Sequence, residues 1–77
     1  MVVYHVCTLN KLRRYQRSGA ITPPVRACET IEQAARMSKQ TGRRIILRLK
    51  FPQNATKLAG HFNQARVLHT RYAFDNF

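Results

Sequence analysis

The chain has 77 residues, 44% of them hydrophobic, and a formal net charge of +11. That length holds one small domain, residues 1–77, and that apolar content excludes a disordered tail. Fourteen Lys and Arg face only three acids, Glu29, Glu32 and Asp75, so paired-carboxylate chemistry is not expected and an anionic partner is implied.

In chain order, Met1 to Cys7 (MVVYHVC) predicts a short strand. Val3, His5 and Cys7 share one face, and Val2, Tyr4 and Val6 share the other. A strand apolar on both faces belongs inside a sheet. Thr8 or Asn10 then supplies an N-cap for a helix from Leu9 to about Ser18, with Leu9, Leu12 and Tyr15 or Gln16 along its apolar stripe. Gly19 is its expected terminator. Ala20 to Ala27 is a connector in which Pro23-Pro24 favours extended polyproline geometry. Val25 to Cys28 adds a short edge strand.

Thr30 and Gln33 match a capping box, and Glu29 and Glu32 suit the positive end of the helix that follows. Ile31, Ala34, Ala35 and Ser38 form its narrow small-residue stripe, and Gly42 ends it. Arg43 to Phe51 (RRIILRLKF) is the main strand. Its two-residue period sends Ile45, Leu47, Leu49 and Phe51 inward and Arg44, Ile46, Arg48 and Lys50 outward. Gln53 to Thr56 is a polar turn. Gln64 to Thr70 has strand character and is expected to pair with the main strand, and Asp75 to Phe77 is a tail. This order predicts an α+β (or small α/β) fold: one mixed sheet of three to four strands with two helices on one face. If the first and main strands are parallel neighbours, their crossover is right-handed.

Cys7 and Cys28 form no C-x-x-C pair, and neither a signal peptide nor an apolar run of spanning length precedes them. Free thiols in the cytoplasm and no membrane insertion are therefore expected. His5, His61 and His69 lack the close pairing of zinc ligands, so no metal site is assigned. Glu29 and Glu32 are explained as helix-N-terminal charges. With so few groups able to hold a proton near neutral pH, no catalytic residue and no cofactor are assigned.

The opening Tyr4-His5-Val6-Cys7-Thr8, a helix, and then Gly19-Ala20-Ile21 resembles the start of ADP-ribosyltransferase-like folds, including the RNA 2′-phosphotransferases. That resemblance implies a contact between His5 and an NAD ribose. The chain also resembles small phage and prophage reading frames of the form Y-H-V-T…G-x-I-x-P-P-V-R-A…A…T-G-R-x-I-I-L, which implies a viral or mobile-element origin.

Ten of the fourteen cations are Arg, the residue that grips phosphates and carboxylates with a planar fork. Arg44, Arg48 and Lys50 alternate on one strand, Arg13, Arg14 and Arg17 cluster near one helix end, and Arg26, Arg66 and Arg71 come from loops or the last strand. Tyr4, Tyr15, Phe62 and Tyr72 are candidates for stacking on unpaired bases. The expectation is a small non-enzymatic protein that binds RNA or DNA. Two alternatives are an effector that docks its basic face on an acidic host protein, and a minimal ADP-ribosyltransferase-like enzyme using His5.

Overall fold

The computed structural model describes residues 1–57 and 65–74. Its central pair is β1 (Val2–Cys7) and β4 (Ile45–Lys50), antiparallel, with Val3 opposite Leu49, His5 opposite Leu47 and Tyr4 opposite Arg48. Both segments alternate with period two, so the pairing collects one apolar row on each face. The ladder continues past β4, where the amino group of Met1 donates to the Phe51 carbonyl and the Phe51 N–H donates to the Met1 carbonyl.

Between these strands come α1 (Leu9–Ser18), β2 (Ala20–Ile21), β3 (Val25–Ala27) and α2 (Ile31–Thr41), and after β4 come β5 (Thr56–Lys57), β6 (Arg66–Leu68) and β7 (Tyr72–Ala73). The strands form small antiparallel sheets, β1–β4, β2–β7 and β3–β6–β5. An antiparallel bridge between Tyr4 and Cys28 joins β1 to β3 on the side away from β4. The α+β class is therefore the observed one. The parallel relation falls not on β1 and β4 but on β3 and β4, since both run antiparallel to β1 and lie on either side of it. The unit β3–α2–β4 is a crossover split by an inserted strand. β6 pairs with β3 and β5 rather than with the main strand. β1 already fills one edge of β4, and on the other edge the Tyr72 hydroxyl accepts the Lys50 N–H at 3.0 Å.

Local sequence signals set both helices. The Thr8 hydroxyl accepts the Lys11 N–H at 3.1 Å. The Thr30 capping box is complete: Thr30 Oγ1 accepts the Gln33 N–H, and Gln33 Oε1 accepts the N–H groups of Thr30 and Glu29. Gly19 and Gly42 end the helices at φ 76° and 73°, the left-handed region in which a Cβ would be strained. The Pro23–Pro24 peptide bond is cis rather than extended polyproline.

Side-chain alternation divides the core in two. Val3, Cys7, Leu49 and Phe51 pack with Tyr15 of α1, Ile21, Val25 and Tyr72, and Leu12, Ile45 and Leu47 border that cluster. On the opposite face of β1, Val6 and Cys28 pack against Ala34 of α2, bordered by Tyr4, Met37 and Ile46. The helices thus cover different faces of the central pair rather than one. This also explains Ile46, expected outward: the outward side of β4 is roofed in part by α2. The buried stripe of α2 runs through Ala34 and Met37, one turn apart, which leaves Ile31 45% exposed and Ala35 exposed. Leu9, expected in the α1 stripe, is likewise 50% exposed, and Leu12 and Tyr15 make the contact. No helix of the described residues is long and apolar enough to cross a membrane.

Candidate anion-binding pocket

Three stretches of chain meet around His5. The first turns of α1 present Lys11 and Arg14 on one face, three residues apart, with Tyr15 beside them. The connector Thr22–Pro23–Pro24 leads to Arg26 on β3, and the C-terminal half of α2 with the residue after Gly42 brings Met37, Thr41 and Arg43. Together with Ile21 they enclose a cavity of about 450 Å³ with His5 and Tyr15 among its lining. That volume lies within the range of small-ligand sites.

His5 is 9% exposed, and both of its ring nitrogens are engaged. Nδ1 lies 2.7 Å from the Arg26 carbonyl oxygen, which can only accept, so Nδ1 carries the proton. Nε2 in the neutral ring is then the acceptor for the Tyr15 hydroxyl, 3.2 Å away. Burial lowers the His5 pKa most, the Arg26 carbonyl opposes that shift, and the Lys11 and Arg43 charges lower it further. Burial raises the Tyr15 hydroxyl pKa, with Cys7 adding to the shift and Arg14 and Arg43 opposing it. The Cys7 thiol is also pushed up by burial, against Lys11 and Arg43. The floor is therefore neutral at neutral pH and the walls are positive.

Among the described residues, no carboxylate lines the cavity. Glu29 is held by Arg66 at 3.1 Å, and Glu32 stands in the first turn of α2. Lys11, Arg14, Arg26 and Arg43 consequently share one concave space with no acidic partner among the described residues. Like charges gathered around one concavity raise the local concentration of an anion, although the exposure of Lys11, Arg14 and Arg26 lets solvent and salt screen their field. Both His5 ring nitrogens are thus engaged within the protein, one by the Arg26 carbonyl and one by the Tyr15 hydroxyl.

The residues singled out from sequence fall into three groups. Arg14 and Arg26 line the pocket. Arg13, Arg17, Arg44, Arg48 and Lys50 are exposed elsewhere, Arg44 just before β4 and Arg48 and Lys50 on it. Arg66 and Arg71 also bind the chain itself: Arg66 donates to Glu29 and to the Ala55 carbonyl at 3.0 Å, and the exposed Arg71 donates once, to the Ser18 carbonyl at the end of α1. Among the stacking candidates, Tyr72 is 3% exposed, its ring against Phe51 and its hydroxyl on the Lys50 N–H, so its faces serve the core. Tyr15 is buried at the pocket floor, where its hydroxyl is committed to His5. Tyr4 is half-buried opposite Arg48. Phe62 and His61 lie outside the described residues.

Lys11 and Arg43 are the pocket residues that sequence reasoning missed. Lys11 was legible through its spacing, K-x-x-R followed by Tyr15, which places all three on neighbouring positions of one helix face. Arg43 reads as the first residue of a strand, and only the turn at Gly42 carries it to the cavity. No known family, curated protein or solved structure matches this chain.

Proposed function

We propose that this is a small nucleic-acid-binding protein that holds phosphate without performing chemistry on it. The observation that supports the reading is the pocket: Lys11, Arg14, Arg26 and Arg43 line one cavity with no carboxylate among its described residues. Arg44, next to Arg43, begins a second basic run with Arg48 and Lys50 on exposed positions of β4. Arg48 and Lys50 are two residues apart on a strand, hence about 7 Å apart on one side of it. Such a run tracks a phosphate backbone and fixes position without reading sequence. The half-buried Tyr4, cross-strand from Arg48, gives one aromatic edge beside that track. A phage or mobile-element protein acting in the cytoplasm is the setting in which this reading sits.

Titration of fluorescent single-stranded and duplex oligonucleotides at low salt tests it. Saturable binding to unrelated sequences with similar affinity is expected, and absence of binding to either form rejects the reading. Capture from host lysate with and without nuclease separates the acidic-protein alternative, because a protein partner survives the digestion.

A second reading is favoured by one observation, the presence of His5 in the lining of this same cavity. The ADP-ribosyltransferase resemblance gives that residue a ribose contact. A saturable NAD signal abolished by His5→Ala would put a minimal enzyme of that kind ahead of simple binding.

A further inference from the structure

We infer that the pocket takes a phosphate monoester, the terminal phosphate of a nucleic-acid strand or of a free mononucleotide, in preference to an internal phosphodiester. The inference rests on the nucleic-acid reading and specifies which phosphate the pocket selects. Shape is the first argument. The cavity is a half-open hollow with the buried His5–Tyr15 pair in its lining, and a terminal phosphate, with chain on one side only, reaches further into such a hollow than an internal one. An internal phosphate carries chain on both sides and suits an exposed track such as Arg44, Arg48 and Lys50.

Charge is the second argument. A diester carries one negative charge, whereas a monoester carries about 1.5 to 2 at neutral pH and offers three strong acceptor oxygens. Four cations line the cavity, an excess that matches the monoester, and Arg forks bind two of its oxygens at once. Donor supply gives the third. His5 spends its N–H on the Arg26 carbonyl, and Tyr15 spends its hydroxyl proton on His5. Lys11, Arg14, Arg26 and Arg43, with the Thr22 hydroxyl, are the side-chain donors that remain in the lining, a set rich in donors that suits an acceptor ligand. Beside these cations, Ile21, Pro24 and Met37 form an apolar wall for the sugar or base attached to the phosphate.

The test uses internally labelled single strands of about ten nucleotides, within the site size of common single-strand binders. They are identical except for a 5′-phosphate, a 3′-phosphate or hydroxyls at both ends. Anisotropy titrations should show at least one phosphorylated end binding about tenfold tighter than the hydroxyl form, the effect of one added charge-assisted hydrogen bond. Lys11→Met, which keeps an apolar stem at an exposed position, and Lys11→Ala/Arg43→Ala should bring the ratio of phosphorylated to hydroxyl-ended affinity, measured within each variant, down to about one. Arg48→Ala should weaken all three strands alike. A 5′-mononucleotide added as competitor identifies the source: displacement at low concentration assigns a free nucleotide, and failure to displace assigns the strand end, either one supporting monoester preference. Equal affinity for all three ends, with salt-sensitive binding intact, overturns the inference and leaves the nucleic-acid reading standing. No binding by any strand overturns both.

Discussion

Leu49→Ala is the substitution that bears hardest on the fold. Leu49 is 0% exposed, sits opposite Val3 across the β1–β4 ladder, and shares a cluster with Phe51 and Tyr72. Truncation removes buried methyl groups and leaves a cavity whose walls come from several strands, so relaxation can close little of it. The expected cost is about 3–4 kcal/mol, within the range of buried Leu→Ala changes. At ~0.05–0.15 kcal/mol per residue, a chain of this length has roughly 4–12 kcal/mol in all. The variant should therefore melt about 12–30 °C lower, or be unfolded at room temperature. Leu47, only half-buried, should cost less on the same change, about 1–2.5 kcal/mol. Arg48 is exposed, and Arg48→Ala should stay within about 0.5 kcal/mol. Urea melts followed by circular dichroism give all three values. If Leu49→Ala were harmless and Arg48→Ala unfolded the chain, the strand would be inside out and the account of the core would fail.

His5 sets a pH dependence: its folded pKa lies below the ordinary value of about 6.5, so the unfolded chain binds more protons just under that pH. The stability contributed by neutral His5 is present above about pH 6.5 and is lost as pH falls through the folded pKa. Melts between pH 8 and 5 should show that loss in the wild type and a flatter profile in His5→Gln, and parallel profiles would contradict it. Arg66→Ala removes the donors to Glu29 and to the Ala55 carbonyl. It should cost about 1–2 kcal/mol in a urea melt while leaving oligonucleotide affinity nearly unchanged; a large loss of affinity at intact stability would move Arg66 into the binding site. Cys7 and Cys28 are fully buried with pKa values raised by burial, so an aromatic disulfide reagent should label neither in the native state and both in denaturant.

The elements that announce themselves locally were legible in the sequence. Thr8, Thr30 with Gln33, Gly19 and Gly42 bound their helices as expected, because capping is decided by groups within four residues of one another. The main strand was legible for the same reason, its period being a local property. Partners across distance were not. Nothing in Arg66 to Leu68 distinguishes pairing with β3 from pairing with β4, since both ladders reward the same apolar alternation. The face of α2 was misplaced because Ile31, Ala34 and Ala35 differ little in pattern, and the choice falls to what the sheet offers at Val6 and Ile46. The basic residues show the same division. The net charge of +11 raises the expectation of an anionic partner, yet composition does not separate Arg14 and Arg26, which line a cavity, from Arg66 and Arg71, which bind carbonyl oxygens of the chain itself. Lys11 and Arg43 joined the site only when α1 and the turn at Gly42 were placed in space.

The salt dependence of oligonucleotide binding tests the central claim most directly. Each neutralised phosphate releases condensed counterions, giving a slope of log K against log salt of about −0.9 per contact on duplex and −0.7 on single strand. A folded Lys11→Ala/Arg14→Ala/Arg43→Ala variant should flatten the slope for an end-phosphorylated single strand by about 1 unit, the share of the one phosphate the pocket holds. Arg44→Ala/Arg48→Ala/Lys50→Ala should flatten it by about 2 units if each of these three residues carries a phosphate of its own. A steep wild-type slope that the pocket variant reduces is the predicted result. A slope unchanged in the pocket variant, with folding verified, would contradict the account and assign the anion to another face of the protein.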